Sequence, residues 1–284
     1  MPKIAHLILA HSRVHHVARL ARQLNHADAT VFIHIDAKSP LESFLAAAPP
    51  DQPIRFVRKR RPVTWGGYSM VQATLNAYRE ILGEGEHYDF INLLSESDYP
   101  LKKATAIHQQ LAGSIGRSFM EMRFSGDPWW EEAQIKINKY HFTEWRIPGK
   151  YLLERAVNHL VPARRLPAGM AFTGRSQWLT LSCQHARYVL DKVDNTPAIE
   201  RFFQYTWGAD EFFFQTLLYN SPHREELVND NLRYIQWING KSSPEILTRA
   251  HFESMRGSEK CYARKFCPET DPHILAMIDE QLLT

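Results

Sequence analysis

The chain has 284 residues, 44% hydrophobic and 12% aromatic, so it can bury a large core and is not a disordered polypeptide. Its formal net charge of +3 is too small to argue for nucleic acid and suits anionic small ligands or an anionic surface. The three cysteines, Cys183, Cys261 and Cys267, have no CxxC spacing, imply neither a disulfide scaffold nor a zinc site, and fit a reducing cytosol.

Met1 to Ala10 is too short and interrupted for a signal peptide or a membrane span, and Lys3 to Ala10 reads as a buried strand ending at His11-Ser12. Val14 to Leu24 carries helical periodicity, and Thr30 to Asp36 is a β-branched strand ending in an acid. Pro40 to Ala48 is a short helix with Ser39 as its N-cap, and Ile54 to Val57 is a third strand. This alternation predicts an α/β fold with a mostly parallel sheet covered by helices. Ligands of such sheets bind beyond the carboxyl ends of the strands, where His11 and Asp36 fall. Asp36 is a candidate acceptor for a nucleotide base or ribose, or else a loop-starting acid that satisfies local N–H groups. The absence of GxGxxG after the first strand argues against a dinucleotide fold.

Trp65-Gly66-Gly67-Tyr68-Ser69 precedes a helix from Met70 to Leu82, and Trp65 could wall a base or pack on the core. Tyr88 to Leu101 is the central strand; it stops at Glu96-Ser97-Asp98, an acid-x-acid pattern that can hold a divalent metal, and Pro100 ends its pairing. A helix over Ala104 to Leu111 leads to a short strand, Phe119 to Arg123, with Glu121 as an inward candidate. Asp127 to Trp145 is polar and aromatic, a lid or acceptor region. Ile147 to Arg165 is amphipathic and basic, a solvated helix or a contact with an anionic bilayer. Ala171 to Leu181 returns to strand character and a helix over Gln184 to Val193 packs on it.

Trp207 to Leu218 places Asp210 and Glu211 before a helix that is apolar nearly all round, with Asp210 as N-cap. A carboxylate driven into the interior there is held still and shifted in pKa, as a general base requires; a capping pair is the alternative. Tyr234 to Trp237 and Tyr262 to Phe266 are late strands, and His273 to Leu283 is the last helix. Lys241, Arg264 and Lys265 could neutralise a diphosphate without a metal.

FINLLSESDYPL (Phe90–Leu101), GRSQWLTL (Gly174–Leu181), ADEFFFQTLLYNS (Ala209–Ser221) and YARKF (Tyr262–Phe266) occur in the order seen in the core-2/I-branching glycosyltransferase family. WGGYS (Trp65–Ser69) and TVFIHID (Thr30–Asp36) resemble it too, so the resemblance spans nearly the whole chain. It implies one GT-A-like domain over residues 1–284, with a nucleotide-binding half (1–125) and an acceptor and catalytic half (126–284). It implies inverting transfer of GlcNAc or xylose from a UDP-sugar to a hydroxyl of a glycan or lipid-linked acceptor, with Glu211 as general base. It places His11, Asp36, Trp65, Lys241 and Lys265 at UDP, and Asp98, Glu121, Ser176, Trp178 and Asp210 around the donor and acceptor sugars. No cofactor and no metal are implied.

The family's central strand usually ends in Gly-Gln-Asp or a similar triplet, whereas Glu96-Ser97-Asp98 stands here, which keeps a metal-dependent transfer through Glu96 and Asp98 as an alternative. A sugar- or nucleotide-binding module without catalysis is the other. The expectation is a bacterial, cytoplasmic relative in polysaccharide biosynthesis, without the anchor, stem and cysteine framework of animal Golgi members and with peripheral contact at the inner membrane face.

Overall fold

Continuous apolar runs such as Ile4 to Ala10 suit strands that are buried on both faces, which requires a helical layer on each side of one sheet. The computed structural model, which describes residues 1–238 and 243–284, has that arrangement. The first part of the chain forms β1 (Ile4–Ala10), α1 (Val14–Gln23), β2 (Ala29–Ile35), α2 (Leu41–Ala47) and β3 (Ile54–Phe56). There follow α3 (Ser69–Gly83), β4 (Phe90–Ser95), β5 (Asp98–Pro100), α4 (Ala104–Ala112) and β6 (Ser118–Arg123). Two helices, α5 (Pro128–Asn138) and α6 (Lys150–Leu160), precede β7 (Gly174–Ser182). The rest comprises α7 (Cys183–Asn195), α8 (Pro197–Phe203), α9 (Phe213–Tyr219), β8 (Leu227–Asn229), β9 (Arg233–Ile235), α10 (Phe252–Arg256), β10 (Tyr262–Arg264) and α11 (Ile274–Ile278).

The main sheet runs β3-β2-β1-β4-β7-β6-β8. β1 is parallel to β2 and β4, β2 to β3, and β6 to β8, whereas β7 is antiparallel to both β4 and β6. The strand from the second half thus sits between two from the first, and one sheet crosses residue 125. Alternation along the strands divides the core. Leu7, Leu9, Ile91 and Leu93 face a layer built with Val71, Val189, Phe203 and Phe214. Ile4, Ile8, Phe90 and Leu94 face the opposite layer with Leu20, Ile107, Phe252 and Ile274.

Three local expectations are corrected. Pro40, not Ser39, is the N-cap of α2, because the Ser39 hydroxyl donates to the His11 carbonyl at 2.5 Å rather than accepting an N–H of its own helix. Pro100 does not end pairing: it opposes Tyr262 in a separate three-stranded sheet, β5-β10-β9, where β5 is an edge strand and a missing N–H is tolerated. Asp210 is not an N-cap. Ala209–Glu211 form a 3-10 turn and α9 begins only at Phe213, with Phe212 as its N-cap. Gly208, at φ +67, turns the chain, and the Glu211 N–H donates to the Gly208 carbonyl at 3.0 Å. Both acids are thereby left on the turn.

Candidate active site

A cleft of about 390 Å³ opens at the carboxyl ends of β1, β2 and β4, where a parallel sheet exposes its loops. Its floor is the turn after β1. Glu96, just beyond β4, accepts the backbone N–H groups of His11 and Ser12, both at 2.8 Å, and the Ser12 hydroxyl at 2.6 Å. The His11 Nδ1 lies 3.1 Å from Glu96 Oε1, the oxygen that accepts the Ser12 hydroxyl. Arg13 then reaches back to donate to Ser97 Oγ at 2.6 Å. Glu96 therefore braces the loop on which His11 stands.

The resemblance sets Asp98 beside the sugars, but it is fully buried. Its oxygens accept the Ser95 N–H and hydroxyl, each at 2.9 Å, and Arg264 Nε at 2.9 Å. The pairing of β5 with β10 enforces this, since it sets Asp98 opposite Arg264 in register. Asp98 positions Arg264, and Arg264 is the group that lines the cleft, 4.4 Å over the Trp178 ring. Lys265 follows it into the cleft, and burial, with Arg264 and Arg13 nearby, lowers its pKa from the usual lysine value.

On the β2 side, Asp36 accepts the Lys38 N–H at 2.8 Å and the Val63 N–H at 3.2 Å, and lies 3.4 Å from Lys38 Nζ. It orders its own loop, as the local reading expects, and also lines the cleft. Burial lowers the His34 pKa to about 4, which keeps it neutral behind Asp36. Trp65 is 66% exposed at the rim and meets Trp207 edge to face at 5.4 Å.

The β7 wall explains Ser176 and Trp178. Between the pairs Met120–Leu179 and Met122–Arg175, β6 advances two residues while β7 advances four. β7 therefore bulges, which breaks the alternation and lets consecutive Ser176, Gln177 and Trp178 all line the cleft. Gln215 of α9 donates to the Ser176 carbonyl at 2.5 Å and holds the bulge from behind. Arg175 stands 4.2 Å over Trp237. Glu121 lies outside this cleft, in an adjoining depression that shares Trp237 with it; there it meets Arg123 at 3.1 Å and Asn231 at 3.2 Å. Lys241 lies outside the described residues.

The acidic pair closes the cleft. A Cβ on Gly174 would lie 2.2 Å from the Glu211 carbonyl oxygen, so only glycine lets the turn pack on β7. The Gly208 N–H donates to the Gly66 carbonyl at 2.8 Å, which joins the turn to the WGGYS loop. Glu211 Oε2 receives Lys136 Nζ, from α5, at 3.2 Å. Lys136 also meets Glu132 at 2.9 Å and lies 4.6 Å over the Trp207 ring. Burial raises the Glu211 pKa, against the opposing pull of Lys136 and Arg175; a quarter of its side chain stays accessible from the cleft. Asp210 Oδ1 is sealed from solvent without a hydrogen-bond partner among the described residues. Its pKa is pushed up to about 7, first by burial and then by the Glu211 charge.

Of the residues expected from the sequence, His11, Asp36, Trp65, Ser176, Trp178, Asp210, Glu211 and Lys265 share this cleft. Arg175 and Trp237, which also line the cleft, and Lys136, which reaches Glu211 from α5, are not among the residues expected from the sequence. Arg175 sits inside the GRSQW motif, which was the available signal. Lys136 lies in a helix whose sequence shows only a polar, aromatic insertion.

Neither acid of the acid-x-acid motif fits a cation site, because Glu96 and Asp98 are committed to backbone, hydroxyl and guanidinium donors. Among the described residues, His185, His223 and Glu226 bring potential ligand atoms together away from the cleft. They bond one another instead: His185 Nε2 lies 2.6 Å from Glu226 and its Nδ1 2.6 Å from Ser118 Oγ, which ties α7 to the β6–β8 edge.

The model of the Core-2/I-Branching enzyme family matches residues 4–256, and the chain belongs to that family of glycosyltransferases. Among curated relatives it is 26% identical to xylosyltransferase oxt of Drosophila melanogaster over 99% of this chain and 33% of that one. It is 27% identical to human xylosyltransferase 1 over 83% of this chain and 24% of that one. The chain thus spans about a quarter to a third of the length of these relatives. Among solved structures it aligns with mouse xyloside xylosyltransferase 1 at a TM-score of 0.44 and 12% identity, over 94% of this chain and 99% of that one.

Proposed function

We propose that the chain is an inverting glycosyltransferase that moves a sugar from a UDP-sugar to a hydroxyl of a glycan or lipid-linked acceptor. The observation that carries this reading is a cleft-facing carboxylate, Glu211, in the same cavity as Arg264 and Lys265. An alcohol is too weak an acid to attack unaided. Glu211 would take its proton as the oxygen bonds to the anomeric carbon from the side opposite the nucleotide. The bond from that carbon to the diphosphate breaks, and its electron pair leaves with UDP. Arg264 and Lys265 stabilise the charge that grows on the departing oxygens, where fixed cations help most. Asp36 and His11 at the strand ends and Trp65 at the rim suit the nucleoside.

The commitments of Glu96 and Asp98 support a reading without a metal, with the two cations in that role. The names of the relatives make UDP-xylose the first donor to try, and UDP-GlcNAc the second. The test is a thermal-shift panel of UDP and UDP-sugars with and without EDTA, because a ligand that binds only the folded state raises Tm. The expected result is a shift with UDP that survives EDTA and shrinks in Lys265→Ala. A shift that needs manganese would favour the metal-dependent mechanism, and the absence of any shift would remove the nucleotide from the cleft.

A further inference from the structure

α6 is built inside out. None of its residues is buried. The side toward the protein is polar: Glu154 accepts the Phe142 N–H at 2.8 Å, and the Asn158 amide pairs with both the N–H and the carbonyl of Tyr140, at 2.7 and 2.8 Å. The outward side is apolar, with Leu152 74% and Leu160 79% exposed, and Tyr151 and Val161 extend it. A surface helix normally has the reverse order.

Charge identifies what covers this face. Arg146, Arg155 and Arg165 are exposed around it. Glu154 is the one acid between residues 145 and 165, and its carboxylate is turned inward onto Phe142 and His141. A second copy docking through the same face would set these arginines against one another, since a two-fold contact is self-complementary. An anionic lipid surface takes both parts, with leucines entering the acyl boundary and arginines meeting the headgroups. We infer that α6 docks the protein peripherally on an anionic membrane. No helix among the described residues is long and apolar enough to cross one. Glu144, in the segment that leads into α6, accepts the Ser69 N–H of the WGGYS loop at 2.6 Å.

Co-sedimentation with phosphatidylcholine vesicles, with and without about one third phosphatidylglycerol, tests this without reference to activity. The expected result is binding at least about tenfold tighter to the anionic vesicles, lost in high salt as surface charge is screened. Leu152→Ser with Leu160→Ser should abolish it, and Arg155→Gln with Arg165→Gln should remove the preference for anionic lipid. All four positions are exposed, so Tm should be unchanged; if the serine variant melts early, the glutamine variant decides alone. Equal or absent binding to both vesicles, or variants that bind like the parent, would overturn the inference. So would a dimer in sedimentation equilibrium that Leu152→Ser dissolves, which would give the face to a second copy.

Discussion

Lys136 Nζ stands 3.2 Å from Glu211 Oε2 and bridges the α5 insertion to the turn that carries the proposed base. Burial favours the protonated acid at Glu211, and Lys136 favours the carboxylate. Their balance decides how much base is available near neutral pH.

The acid limb of the rate profile should therefore lie above the ordinary carboxylate range, and activity should fall as pH drops through it. In Lys136→Met the opposing charge is gone, so the limb moves to higher pH, and kcat/KM falls more at pH 6 than at pH 8. Profiles of kcat/KM for both proteins check this; a parallel loss at every pH would leave Lys136 a packing role only.

Asp210 makes a separate prediction about stability. Its folded pKa of about 7 lies above the unfolded value of about 4. The protonated acid favours folding, so its contribution is full below about pH 4 and is lost as pH rises through about 7. Asp210→Asn should raise Tm at pH 8 relative to the parent and have little effect at pH 4. Thermal melts at the two pH values measure it.

Much of this was legible in the chain. The apolar runs of β1, β2 and β4 and the helical periodicity of α1 are local patterns, and they set the parallel sheet and so place His11 and Asp36 at strand ends. The family motifs located Glu211 and Lys265. What escaped were relationships between distant segments. The β7 bulge depends on the register against β6, not on β7 alone. The role of Asp98 depends on Arg264, 166 residues away. The reach of Lys136 to Glu211 depends on how an insertion folds back. The expected N-cap at Asp210 failed for the same reason, because Gly208 and the packing of the turn on Gly174 override the capping preference.

Gly174→Ala tests that packing. The added methyl meets the Glu211 carbonyl and must push the turn away from β7, at a cost of about 1–3 kcal/mol. Urea melts should show the loss, and turnover should fall further than stability alone accounts for, because Glu211 moves with the turn.

Asp98→Ala separates support from sugar contact. It leaves Arg264 without its buried partner and should cost about 3–5 kcal/mol. A variant of unchanged Tm whose KM for the sugar donor rises would return Asp98 to the substrate.

The central claim is that Glu211 takes the proton of the acceptor, and a Glu211→Gln variant measured for both UDP binding and sugar transfer tests it most directly. The amide keeps the shape and loses the basicity, so transfer should drop by about 10²–10⁴-fold while UDP still raises Tm as in the parent. Transfer at the parental rate would contradict the assignment.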